Sequence, residues 1–271
     1  MAITNFIPQV WSARLQENLH QALVFGNLCN RNYEGDIAQW GDTVHINTLN
    51  DITVKPYDPS VEIDDPEQLS GSDMTMTIDH GAYYNFYIND VDAVQARADL
   101  MDAAMRNAAY RLASDAENYI LATIRQGAGV KETVSIPSTE EGGLYAILLE
   151  IKLQMDAANV PNFERKLIIS PTLEAFLLLD NRFITGSSAA AERLAEGSVA
   201  RAAGFDIYIS NNLNDEIIAM TPDAVTFANQ ITKVDAYRPE KGFRDGVKGL
   251  CLSGAKVVIP SAVVCYTAPQ G

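Results

Sequence analysis

Apolar residues recur at intervals of three and four from Trp11 through Leu15, Leu19, Ala22 and Leu23. That is one stripe of a helix, which Pro8 suits at its first turn and Gly26-Asn27 ends. The period then changes to two. Val44, Ile46 and Thr48 alternate with polar residues, and Ile52 and Val54 resume the pattern. Met74, Met76, Ile78 and then Tyr84, Phe86 and Ile88 do the same. The alternation and the β-branched content predict two long strands, residues 43–55 and 74–88. Between them lies an acidic stretch with three prolines and no sustained period. A loop that long is normally functional or disordered, and a two-stranded ribbon needs a surface to rest on.

The clearest helix covers residues 90–126, capped by Asn89 or Asp90, with room for a slight break near Ala98-Asp99. Met101, Met105, Ala108, Leu112, Ala116, Tyr119 and Thr123 share a face, and Arg106, Arg111, Asp115 and Glu117 fall off it. Gly127-Ala128-Gly129 stops it. Beyond a short strand at 131–136, the pattern alternates. Helices are expected at 144–158 and from Pro171 through Leu179. Strands are expected at 166–170, 205–210, 217–220, 224–227 and 232–237. Residues 182–203 are Ser- and Ala-rich with little pattern. Gly242 to Gly249 reads as a glycine-punctuated loop, followed by strand at 250–252 and 255–266 that Pro260 should interrupt. The α/β alternation of the second half suggests a compact domain of its own.

The 271 residues are 47% hydrophobic, enough for one large or two small domains with a real core. No apolar run reaches the roughly 20 residues that span a bilayer. The start lacks a basic n-region and an apolar h-region, so synthesis in a cytosol is expected. Net charge is −15 and no segment is strongly basic, which disfavours specific DNA or RNA binding. Its distribution is uneven. From Gly41 to Asp90 ten acids face one base, Lys55, a net −9; from Thr226 to Gly271 six bases face three acids, a net +3. In a protein that assembles with itself, such asymmetry suggests contacts between copies.

Candidate chemistry is sparse. Cys29, Cys251 and Cys265 are odd in number and lack C-x-x-C spacing, so they read as buried thiols. His20, His45 and His80 are far apart, which argues against zinc. Gly127-x-Gly129 ends a helix and has Glu132 where a dinucleotide fingerprint needs glycine; Gly242-x-x-x-Gly246 has the wrong spacing for a phosphate loop. The adjacent acids Asp64-Asp65 and Glu140-Glu141 read as solvated, since paired acid/base chemistry needs burial. No cofactor, metal or catalytic cluster is expected, and the chain is read as a non-enzyme.

The N-terminal stretch Ile7-Pro8-Gln9-Val10-Trp11-Ser12-Ala13-Arg14-Leu15 through Asn32-Tyr33-Glu34-Gly35-Asp36-Ile37 resembles tailed-phage major capsid proteins with the Hong Kong 97 fold. So do Gly41-Asp42-Thr43-Val44, Asp90 through Met105, Ala224 to Gln230, and Gly249-Leu250 to Lys256-Val257. The resemblance runs in order along nearly the whole chain. It implies an α+β fold in named parts: an N-terminal arm (1–40), an extended β-hairpin loop (41–89), a peripheral domain with a spine helix (90–139 and 231–271) and an α/β axial domain (140–230).

The function it implies is structural, as an icosahedral shell enclosing packaged double-stranded phage DNA. The partners it implies are other copies of the chain in pentamers and hexamers, a scaffolding protein during assembly and a portal at one vertex. A decoration protein is a further candidate. The place it implies is the virion capsid, after synthesis in a bacterial cytoplasm. With Lys55 the only lysine of the loop and no evident catalytic acid, a Lys–Asn cross-link is not expected. Trp11, Leu15 and Leu19 are the expected arm anchors at subunit interfaces. The loop acids Asp58, Glu62, Asp64, Asp65 and Glu67 are expected to meet Arg238, Lys241, Arg244 and Lys248 of a neighbour. Two alternatives stand beside this reading: an encapsulin-like compartment shell, and an enzyme of two α/β lobes.

Overall fold

The computed structural model describes residues 15, 23–34, 39–49, 53, 54, 57, 59, 65, 71–89, 99–134, 143–179, 201–238 and 244–267. A four-residue helix α1 (Phe25–Leu28) is followed by strands β1 (Thr43–Leu49), β2 (Gly71–Thr77) and β3 (His80–Asn89). The long helix α2 (Asp99–Gly127) comes next, then β4 (Val130–Thr133), α3 (Gly143–Ala157), β5 (Lys166–Ile169) and α4 (Pro171–Leu179). Strands β6 (Arg201–Ala202), β7 (Phe205–Ile209), β8 (Glu216–Met220), β9 (Val225–Tyr237), β10 (Arg244–Val257) and β11 (Val263–Thr267) complete the described chain.

The strands form three sheets: a ribbon β1-β2, a three-stranded sheet β3-β10-β9 and a six-stranded sheet β4-β11-β8-β5-β7-β6. In the largest, β5 lies parallel to β7 and antiparallel to β8, and β11 lies antiparallel to β8 and parallel to β4. The turn from β6 to β7 places Ala203 (φ 50°) and Gly204 (φ 90°) between the paired residues Ala202 and Phe205. Two successive positive φ values match the twist of a two-residue hairpin, and glycine takes the second at no steric cost.

α2 is about 43 Å long at 1.5 Å per residue. Its buried positions are Met105, Ala109, Leu112, Ala113, Ala116, Ile120, Leu121 and Ile124, and Glu117 is buried with them at 4% exposure. The expectation that Glu117 lies off the apolar face is thus corrected. The buried face is wider than one stripe because the N-terminal segment joins the sheets in covering the helix. Leu15, Leu23, Phe25 and Leu28 belong to the same core cluster as α2, α3 and the six-stranded sheet. The helix stops where Gly127 packs on Val257 and the Gly129 amide donates to the Pro260 carbonyl at 2.9 Å.

Three strand expectations change. The stretch 74–88 is two strands in two sheets: β2 pairs with β1, and after Ile78-Asp79 the chain enters β3, which pairs with β10. The two strands expected at 224–227 and 232–237 are one, β9, which runs through the expected division at 230/231. β11 lies in the same sheet as β8 and β5. The loop expected from Gly242 to Gly249 is strand from Arg244 onward.

The glycines in β10 make room for rings. A Cβ on Gly249 would lie 2.4 Å from the Tyr84 ring, and one on Gly246 would lie 2.8 Å from that of Tyr237, each directly across the sheet. The expected break at Pro260 is present as a single 3₁₀ turn, Pro260–Ala262, between β10 and β11.

The ribbon rests on its own subunit. Val44, Ile46, Met76 and Ile78 are buried together with Ala228 and Leu252 of the three-stranded sheet. Full burial of such a side chain contributes roughly 1.5–3 kcal/mol, which supports a two-stranded element that would be marginal alone.

Candidate assembly surfaces

Four groups set the ribbon's attachment. The Tyr119 hydroxyl donates to Asp79 at 2.5 Å, and its ring stacks on His80 with centroids 4.4 Å apart. His80 Nε2 lies 2.7 Å from Asp115 Oδ2. Asp115 and Tyr119 are one turn apart on α2, while Asp79 and His80 sit where the chain leaves the ribbon for β3. Burial, and then the Asp79 hydrogen bond, push the Tyr119 hydroxyl well above the ordinary phenol range. The neutral hydroxyl is the donor to Asp79.

A second junction ties the N-terminal segment to the helix. Glu117 accepts from the amides of Val24 and Phe25, the latter at 2.9 Å, and from Asn212 Nδ2 at 2.7 Å. Burial raises its carboxyl above the usual range, and these three donors oppose the rise without cancelling it. One side chain thus joins the N-terminal segment, α2 and the β7–β8 connection.

Of the expected anchors, Leu15 is fully buried in the chain's own main core, so the contact it makes is within the subunit. Trp11 and Leu19 lie outside the described residues, as do Asp58, Glu62, Asp64, Glu67 and Lys241. Asp65 is exposed, and so are Val54 and Tyr57 earlier in the same loop, at 91% and 75%. The described bases converge. Arg238 follows the last residue of β9, Arg244 opens β10, and Lys248 stands four residues further along on the same face. The Arg244 guanidinium lies 4.4 Å from the Tyr87 ring centroid and Lys248 Nζ lies 5.5 Å from that of Tyr237. The Tyr237 hydroxyl donates to Asn85 Oδ1 at 2.7 Å. These residues make a cationic hairpin tip with aromatic support.

Sequence reasoning missed the exposed tyrosines of β3, Tyr83 at 78% and Tyr87 at 53%. The signal was present: from Gly81 to Asn89 the strand carries three tyrosines and no charge. It also missed the outer face of α3, where Leu149 and Leu153 are 45% and 68% exposed although the opposite face is buried. Among the described residues no three His, Cys, Asp or Glu side chains gather as a metal site. Among those residues too, no helix is long and apolar enough to cross a membrane. What the arrangement offers is surface for other chains.

Comparison with known families gives one match, to a model described as phage capsid protein, over residues 77–265. No curated protein matches. Among solved structures the fold is similar to that titled Mycobacterium phage Che8, at 28% identity and TM-score 0.73, with 90% of each chain covered. It is similar to the capsid structure of the cyanophage P-SCSP1u, at 18% identity and TM-score 0.67, covering 92% of this chain and 89% of that one. It is also similar to a virus-like particle from Pyrococcus furiosus, at 15% identity and TM-score 0.61, covering 95% and 98%.

Proposed function

The chain belongs to the phage capsid protein family, and from that membership we propose how this major capsid protein builds its shell. Its role is structural, and its α+β architecture is that of capsid subunits of the Hong Kong 97 type. The observation that carries this is the family match across 77–265 together with a like fold over nine-tenths of the chain. The shell is icosahedral, made of pentamers and hexamers, and encloses double-stranded DNA that enters through a portal vertex. A scaffolding protein guides assembly in the bacterial cytoplasm. Residues 1–40 serve as the arm, the ribbon and its loop as the extended finger, α2 with the β3-β10-β9 sheet as the peripheral part, and the second α/β half as the axial part.

Contacts between copies use the charge asymmetry. The loop acids Asp58, Glu62, Asp64, Asp65 and Glu67 meet Arg238, Lys241, Arg244 and Lys248 of a neighbour. Three of those bases stand on one hairpin tip, where opposite charge steers encounter and sets register. An acidic chain with no basic stripe also leaves the packaged genome unbound.

The test is size and content. Purified protein, alone and with its scaffolding partner, should sediment as capsomer rings or closed particles. Native particles should contain nucleic acid; a packaged enzyme in its place would mean a compartment shell. A monomer under every condition would remove the shell reading altogether.

A further inference from the structure

We propose that Glu132 of β4 and Glu150 of α3, with the side-chain carbonyl of Gln154, form a divalent-cation site of the calcium type at the β4 edge of the six-stranded sheet. The inference does not depend on the shell reading. β4 is the edge strand, and Glu132 pairs in register with Tyr266 of β11. Residues paired in this way project to the same face of a sheet. α3 covers that face: Gln154 Nε2 donates to Glu132 Oε1 at 3.1 Å. Glu150 stands one helical turn before Gln154, on the same side of α3. Tyr266 is fully buried beneath them. Burial first, and then the charges of Glu132 and Glu150, push its hydroxyl above the ordinary phenol range, so both carboxylates lie near that one group.

Two independent features point to a cation. The carboxylates are uncompensated. Among the described residues no Lys, Arg or His pairs with Glu132 or Glu150, and the nearest bases in sequence are committed elsewhere. Lys131 donates to the Gln126 carbonyl at 2.5 Å, and Lys152 pairs with Asp156 at 2.6 Å. The second feature is a pair of orphaned oxygens at the same place. Gln154 Oε1 can only accept, and it is buried without a donor. The Tyr266 hydroxyl is turned to Glu132 and Gln154 yet makes no well-formed hydrogen bond to either. Native structures answer buried orphans of this kind with water or an ion. Beside two carboxylates, a cation serves the amide carbonyl and offsets the charge together, which water does not.

The ligand set identifies the ion. Two carboxylates, one amide carbonyl and water form an all-oxygen shell, which suits a hard cation of flexible geometry such as calcium. Three of these oxygens are side-chain ligands of types seen in such sites, although only two come from acids. Glu132 gives one oxygen to Gln154 and keeps the other for the ion. Tyr266 is the floor, its hydroxyl a donor to whichever carboxylate oxygen the ion leaves free. Glu132 and Glu150 are exposed, so the ion enters from solvent and retains waters on its outer side. Open sites with few carboxylates bind calcium at about 10⁻⁴–10⁻³ M. The chain's net charge of −15 raises the local cation concentration. The bound ion ties α3 to the sheet edge.

Terbium(III) is the probe, since it occupies calcium sites and luminesces when a neighbouring aromatic ring passes it excitation energy. Titrated into the purified full chain, it should give tyrosine-excited emission that calcium displaces. Glu132→Gln with Glu150→Gln should lower that emission about fivefold or more; both positions are exposed, so the variant keeps its fold. Calcium at about 10 mM should raise the melting temperature by roughly 3–5 °C over sodium chloride of equal ionic strength. The double variant should lose that rise. Tyr266→Phe leaves the ligands in place, so it should dim the emission and keep the calcium-dependent rise. Emission and a melting shift that persist in the double variant put the ion elsewhere, the acidic loop at 58–67 included, and overturn this site. Absence of both signals from the native chain overturns it as well. Neither result depends on whether particles form.

Discussion

Glu117 accepts a 2.9 Å hydrogen bond from the amide of Phe25, 92 positions earlier in the chain. A buried carboxylate in the middle of a long helix is thereby the N-terminal partner of another helix only four residues long. Replacing it with alanine strands two amides and the Asn212 side-chain amide in an apolar site. Glu117→Ala should cost about 2–4 kcal/mol in denaturant unfolding.

The same carboxyl carries a pH signature. Its pKa in the folded chain is raised above the ordinary value of 4.5. Its contribution is therefore fully present below that value and is lost as pH rises through the folded pKa. Glu117→Gln keeps the shape, and Asn212 can rotate its amide to offer oxygen to the new NH₂. Relative to Glu117→Gln, the native protein should lose stability as pH rises above 4.5. A stability difference between the two that is flat with pH would mean the group ionises as freely as in the unfolded chain.

Gly249 and Tyr84 should be coupled. The Cβ of Gly249→Ala would press into the Tyr84 ring, and overpacking of this kind costs about 1–3 kcal/mol. Tyr84→Ala removes the ring, so the double variant should be less destabilised than the sum of the singles. Thermal or urea unfolding of the four proteins measures the coupling.

The ribbon's attachment should loosen locally when its polar clasp is cut. His80 and Asp115 are partly exposed, so screening limits their pair to the lower end of surface values. Asp115→Asn with Tyr119→Phe should lower global stability by only about 0.5–1.5 kcal/mol. Amides from Thr77 to Gly81 should nonetheless exchange measurably faster. Unchanged exchange there would show that the buried Ile78 holds the base by itself.

Salt should report on the basic hairpin tip. Changing Arg238, Lys241, Arg244 and Lys248 to alanine should weaken assembly and flatten its dependence on ionic strength. Normal shells at every salt concentration would remove the electrostatic pairing of loop and tip.

The thiols give a simple check of the core. Burial pushes Cys29 and Cys251 up to about 12 and Cys265 up to about 11. All three should be inert to a thiol reagent in native subunits and react on unfolding.

What the sequence made legible follows the range of the interactions involved. α3 and α4 have their expected bounds to within a residue, because period, Gly143 and Pro171 act locally. β5, β7 and β8 were equally plain as short apolar runs between turn residues. The errors share a cause. Gly246 and Gly249 looked like loop punctuation, yet their purpose is to admit Tyr237 and Tyr84 from neighbouring strands. The split of 74–88 at Ile78-Asp79 depends on β10, which is some 170 residues away in sequence. Glu117 looked solvated because its donors, Val24, Phe25 and Asn212, come from two distant segments. The bases Arg238, Arg244 and Lys248 were legible as a group because β9 and β10, which carry or adjoin them, are consecutive paired strands.

Only Ile78 and Asp79 separate the ribbon's strands from those of the central sheet. Those two residues are held from three sides: Ile78 is buried with Ala228 and Leu252, its backbone bonds to Gly41 and Asp42, and Asp79 accepts from Tyr119. Turning the ribbon would uncover that cluster, so its direction is set by packing inside the subunit.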